Sequence, residues 1–137
     1  MKKRGLTIAC VVVGGISVAG LTTLIPTTQA CAQAQRKQIS YVEDIVPIFK
    51  GYCLECHTPG GKGYEASGVD LTSYTGLMKG TKLGAVVIPK EPDASTLVAL
   101  IYGRTSPQIR MPLGHKPLPD CLRLSIWEWI FEGAKDN

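Results

Sequence analysis

The sequence has no basic run beyond its first few residues, no internal repeat, no low-complexity tract and no alternating apolar and polar pattern that would mark a strand. The first absence excludes a nucleic-acid surface. The formal net charge is +4, but Lys2, Lys3 and Arg4 supply three of the positive charges, and the other 12 basic residues are interspersed with 11 acidic ones. The missing strand pattern points to an all-α fold and removes the βαβ frame that a thioredoxin-like redox pair needs. Cysteines number five, at positions 10, 31, 53, 56 and 121, the first two in the N-terminal targeting segment. Removing that segment leaves an odd number, two of them in a C-x-x-C-H, which argues against a disulfide scaffold. A chain of 137 residues has room for one domain.

What is present at the N-terminus is a basic end followed by the uncharged stretch Gly5 to Ile25, then Pro26 and small residues, the three regions of an export signal. Small-x-small sites at Ala30-Cys31-Ala32 and Ala32-Gln33-Ala34 favour cleavage after Ala32 or Ala34. An uncleaved anchor competes, because the 21 residues from 5 to 25 are long enough to cross a hydrocarbon core of about 30 Å. A lipid anchor on Cys31 is disfavoured by the polar Gln29. All three place the domain outside the cytoplasm, periplasmic and either soluble or tethered to the outer face of the membrane. The expected division is 1–34 signal peptide or membrane anchor, 35–40 flexible lead-in and 41–137 folded domain.

Within the domain, Asp44 is the expected N-cap of a first helix whose stripe is Ile45, Ile48, Phe49 and Tyr52, with Pro47 early enough to be tolerated. Glycines from Gly60 to Gly84 predict mostly loop, with a short helical turn near Ser73 to Lys79 carrying Leu77 and Met78. Asp93 or Ser95 caps a second helix through about Tyr102, burying Leu97, Leu100 and Ile101. Pro107, Pro112, Pro117 and Pro119 hold the next segment extended. Asp120 caps a last helix burying Leu122, Ile126, Trp129 and Ile130, closed by Gly133. Three main helices joined by long Gly/Pro-rich loops are expected.

Cys53 and Cys56 stand three residues apart at a helix end, so both sulfurs project to one side and His57 follows at once. This spacing suits two thioether bonds to one haem, with the imidazole reaching its iron and its other nitrogen held by a backbone carbonyl. The competing use is zinc, completed by two of His57, His115 and Cys121, but no second tight ligand pair exists. For the sixth iron position the candidates are Met78, Met111 and His115. Met111 is preferred, because Arg110-Met111-Pro112 lies in the stiff proline-rich loop, whereas Met78 beside Leu77 suits a core and His115 a solvated loop. Cys121 reads either as a small buried apolar residue or as a thiol at a helix N-terminus open to a disulfide with a partner. Lys62, Lys79, Lys82 and Lys90 are candidates for a steering ring around an exposed haem edge, against the plainer reading of a solvated loop surface.

From Tyr41 to Ala134 the chain resembles class I c-type cytochromes, and among them the small planctomycete-type cytochrome c domains. The pieces that carry the resemblance are Ile45-Val46-Pro47-Ile48-Phe49 before Cys53 to His57, then Gly68-Val69-Asp70-Leu71 and Val87-Ile88-Pro89 with Ser95-Thr96-Leu97. Arg110-Met111-Pro112, Leu118, Trp129-Ile130 and Gly133-Ala134 complete them. The resemblance implies a small cytochrome c fold with one covalent haem c clamped between the first and last helices, His57 and Met111 as axial ligands, and one haem edge exposed. Three departures stand out: Lys90 where a Gly usually follows the Pro, a methionine loop lengthened by Leu113-Gly114-His115, and Cys121 opening the last helix.

The expected function is electron transfer between redox protein partners, as a free carrier or as a subunit of a larger membrane redox complex reached through residues 5–25. It is not expected to be an enzyme. A gas sensor or peroxidase-like protein with a vacant sixth position is the alternative, and a structural zinc domain the third.

Overall fold

The computed structural model describes residues 38–137. The export signal, its cleavage sites and residues 5–25 lie outside the described residues. The packed domain starts earlier than the expected lead-in, which ran through residue 40. Ile39 is buried and donates its N–H to Glu132 Oε2 at 2.9 Å. Ser40 is the cap that Asp44 was expected to be. Its hydroxyl accepts Glu43 N–H at 3.2 Å, and the buried Asp44 carboxylate accepts Ser40 N–H at 2.8 Å. This reciprocal pair satisfies donors that a helix start leaves over.

The turn Tyr41–Ile45 is π-helical and runs into α1, Val46–Tyr52, with Pro47 in the first α-helical turn where its missing N–H has no intrahelical partner to lose. Ile45, Ile48 and Phe49 face the core as their spacing predicts. Tyr52 does not; it is 45% exposed, because the helix ends there and the stripe turns outward.

Four more helices follow: α2 (Lys62–Ser67), α3 (Tyr74–Lys79), α4 (Thr96–Ile101) and α5 (Asp120–Phe131). Among the described residues there is no strand, only an isolated bridge between Thr81 and Gly84. The fold is all-α, with five helices rather than three main ones. Of the two further ones, α3 is the short helical turn expected near Ser73 to Lys79, capped by Ser73, and α2 lies in the glycine-rich stretch expected to be mostly loop. Gly68, at φ +82°, ends α2 in the left-handed region, so glycine there stops a helix.

In α4 the buried pair is Val98 and Ile101, with Leu97 partly buried; Leu100, expected on this face, is only half-buried. Ser95 stands at its N-cap, but its buried hydroxyl is engaged elsewhere, accepting Ile88 N–H at 2.8 Å and donating to Glu91 O at 2.9 Å. Helix α5 buries Leu122, Ile126, Trp129 and Ile130, as periodicity predicts, and begins one residue early, with Pro119 at the cap and Asp120 paired to Arg123. It packs on the π-turn and α4. Trp129 lies 5.4 Å from Tyr41 and 6.5 Å from Tyr74, ring centroid to centroid. A buried side chain of this size contributes on the order of 2–3 kcal/mol, so the joint between the π-turn and α5 is a main source of stability.

Two departures from the family pattern take physical form. Lys90 is in the left-handed region at φ +70°, where glycine is favoured, and its N–H donates to Ile130 O at 2.8 Å. Cys121 is half-buried against the core and disulfide-bonded, whereas Cys53 and Cys56 are free. Cys121 is therefore not the fully buried apolar residue expected.

Candidate haem-binding site

The C-x-x-C-H segment leaves α1 as a tight turn. Cys53 N–H donates to Phe49 O at 2.8 Å, and the N–H groups of Cys56 and His57 both donate to Cys53 O, at 3.1 and 3.0 Å. The next layer is also backbone: Tyr64 N–H of α2 donates to Cys56 O at 3.0 Å and Leu71 N–H to His57 O at 3.0 Å. Cys53, Cys56 and His57 are thus brought together by main-chain bonds alone, and substitutions that keep the backbone path leave them in place.

The two thiols differ in surroundings. Cys53 is half-buried against the core, and burial, with a smaller effect of the neighbouring Cys56, pushes its thiol up to about 12. Cys56 is exposed. Burial pushes the half-buried His57 imidazole below the usual histidine range, and the Val69 backbone opposes that shift more weakly. Nδ1 of His57 is buried without a hydrogen bond of good geometry, although the Val69 backbone lies close enough to act on the ring. A neutral imidazole is the form that ligates a metal.

Gly63 closes the other edge of the ring. A Cβ there would stand 2.8 Å from His57 Cε1, 2.9 Å from Nε2 and 3.0 Å from Cys56 O, so the imidazole has its place only because position 63 has no side chain.

Met111 is half-buried, packs against the core, and donates its N–H to Leu100 O at 3.1 Å, which ties the proline-rich loop to α4. Met78 is half-buried in α3, and His115 is exposed on the loop beyond Pro112. Among the described residues no three His, Cys, Asp or Glu side chains converge to hold a metal ion, so the zinc site drawn from Cys53, Cys56, His57, His115 and Cys121 is not assembled.

Residues 53–112 match the family described as Planctomycete cytochrome C. The match supports a planctomycete-type cytochrome c domain over these residues. No curated protein and no solved structure matches the chain.

The family match implies haem c, and the residues of the matched segment fit that group. Two free thiols and an imidazole share one turn, and the imidazole has an orphaned buried Nδ1 on one edge and a glycine on the other. Cys53, Cys56 and His57 would hold it. Sequence reasoning missed Gly63 and left the backbone group behind His57 unnamed; the structure puts Val69 there. Gly63 carried a signal, as a glycine six residues after the histidine, but it was grouped with neighbours that serve as loop and stop residues.

Proposed function

We propose that this cytochrome c domain is an electron carrier holding one haem c, with Cys53 and Cys56 as thioether anchors, His57 as proximal ligand and Met111 as distal ligand. The observation that carries the proposal is the turn joining two free thiols to a histidine whose burial favours the neutral, ligating imidazole. Bound there, haem c supplies a one-electron iron couple.

The chain's own residues do the rest. Cys53 and Cys56 would hold the group beside α1 through two thioethers, each made by adding S–H across a vinyl double bond, with sulfur on one carbon and the hydrogen on the other. His57 is oriented by Gly63 and the Val69 backbone. Among the three candidates for the sixth position, Met111 combines half-burial with a backbone tether inside the proline-rich loop. A thioether there raises the potential relative to a second histidine, which suits delivery of electrons toward a terminal acceptor. The partners are redox proteins outside the cytoplasm, met by a soluble carrier or within a membrane complex anchored through residues 5–25.

Optical spectra of the oxidised and reduced protein, wild type and Met111→Ala, test this. Haem is expected to resist extraction from both, with a methionine-to-iron charge-transfer band in wild type only. A high-spin wild type that binds carbon monoxide refutes the carrier assignment.

A further inference from the structure

The loop that carries Met111 closes on itself at the end of α4. The chain leaves the helix at Gly103, whose φ of +68° lies in the left-handed region, and the N–H groups of Gly103 and Arg104 cap it by donating to Leu100 O at 3.3 Å and Ala99 O at 2.8 Å. It turns back where Ile109 N–H donates to Ser106 O at 3.1 Å, and Met111 N–H then returns to the same Leu100 O at 3.1 Å. One acceptor therefore holds both ends of the loop. A side chain crosses the same neck, because a Cβ at Gly103 would stand 3.0 Å from Arg110 Cδ and 3.8 Å from its Cγ. We propose that Arg110 is a positioning residue for Met111: its methylene stem, seated on Gly103, closes the neck of the loop and holds the distal ligand in place.

The role assigned to Arg110 rests on the reading of Met111 as the distal ligand, and adds how that ligand is held. Prolines are the expected source of stiffness in this segment, but Pro107 lies at the far turn, and Pro112, Pro117 and Pro119 follow the ligand. None of them spans the neck. The neck is open to solvent, since Gly103 and Arg110 are both exposed. The stem lays carbon over Gly103 while the guanidinium stays in water, as long charged side chains do. Neighbouring arginines are used differently: Arg104 pairs with Asp93 and Arg123 with Asp120, and the two lie 5.7 and 4.9 Å from the Tyr102 ring centroid. Among the described residues Arg110 has neither an acidic nor an aromatic partner, so its stem rather than its charge carries the role. Glycine at 103 serves twice, taking the positive φ that ends α4 and leaving room for the stem.

The holoprotein variants Arg110→Ala and Arg110→Gln test this. Glutamine keeps the carbons at γ and δ and drops the charge, whereas alanine loses both. Each variant is read by hydrogen exchange of the Met111 amide in the reduced protein and by the methionine-to-iron charge-transfer band of the oxidised protein, with covalent haem content measured on the same sample. In Arg110→Ala, exchange at Met111 should quicken about four- to fifteenfold, the change expected from one to two methylenes of lost burial. The band should weaken, and the amides of Cys56 and His57 should exchange as in wild type. Arg110→Gln should match wild type in both readouts. Gly103→Ala, which pushes the stem off its seat, should loosen Met111 more in the wild-type background than in Arg110→Ala. An Arg110→Ala protein with either readout at its wild-type value, or an Arg110→Gln protein as loose as Arg110→Ala, overturns the proposal. Met111→Ala separates the two readings: a band that survives it removes Met111 as the ligand, whereas a band lost there but unchanged in Arg110→Ala leaves the ligand and removes only the role of Arg110.

Discussion

Replacing Gly63 by alanine sets two opposed effects against each other, and the site geometry decides between them. In a helix interior the change alone is favourable by about 1 kcal/mol. Here the new methyl group would stand 2.8 and 2.9 Å from two atoms of the His57 ring and 3.0 Å from Cys56 O. Overpacking of this kind costs about 1–3 kcal/mol, so the net loss of stability is small, about 0–2 kcal/mol. The cheapest relief is for the imidazole to swing, because Cys56 O is fixed by its bond from Tyr64 N–H. The decisive readout is therefore the electronic spectrum of the oxidised, haem-attached protein: a low-spin wild type should give way to a high-spin fraction, with haem still covalently bound. Gly51→Ala is the control, since nothing lies within 4 Å of a Cβ there, and it should stabilise α1 by about 0.5–1 kcal/mol with no spectral change. Gly61→Ala should behave oppositely. Its Cβ meets Cys56 O at 2.5 Å and Thr58 O at 3.0 Å, all backbone, so it should cost more in urea midpoint than Gly63→Ala does. A Gly63→Ala protein with a wild-type spectrum and raised stability, like Gly51→Ala, would refute the role assigned to Gly63.

Lys90→Gly removes left-handed strain of about 1–2 kcal/mol at a cost of about 0.5–1 kcal/mol in chain entropy. The urea midpoint should rise slightly, and a fall would show that the lysine side chain matters more than its φ of +70°. Ser95→Ala removes the hydroxyl that pairs the part-buried Ile88 N–H and Glu91 O and should cost about 0.5–1.5 kcal/mol; a loss within error of zero by denaturant unfolding contradicts the network. The Asp70 carboxylate is held below the usual carboxylate range by the Thr72 hydroxyl, then by Thr72 N–H. A lowered folded pKa gives stability that is present above the unfolded value of about 3.9 and lost as pH falls through the folded one. The small advantage of wild type over Asp70→Asn, small because the group is exposed, should thus shrink below about pH 4; a gap independent of pH rules this out.

Much of the frame is legible in residue spacing. Helix α5 follows from the recurrence of Leu122, Ile126, Trp129 and Ile130, and the turn that gathers Cys53, Cys56 and His57 follows from five consecutive residues. The errors share a physical origin, the placement of polar groups that have two uses. Ser40 and Asp44 both suit a helix start, and the reciprocal bond between them uses both, which no ranking of single caps discloses. Ser95 has the identity of a cap but its hydroxyl serves a loop. Glycines are equally ambiguous: Gly68 stops a helix and Gly63 makes room for a ring, although both stand in one glycine-rich stretch.

The two candidate iron ligands are held by unlike means, and this predicts an order of failure. His57 is fixed by main-chain bonds to its immediate neighbours and by α2, so its position survives as long as that local turn does. Met111 depends on Leu100 O at the end of α4, and α4 in turn rests on the loop that Ser95 closes and on its packing against α5. Its tether crosses more structure, and segments of this kind open first, below the global unfolding free energy. Loss of the methionine band should precede loss of helical circular dichroism in urea, and Ser95→Ala should widen that gap, because it weakens the support of α4 and leaves the turn at His57 untouched.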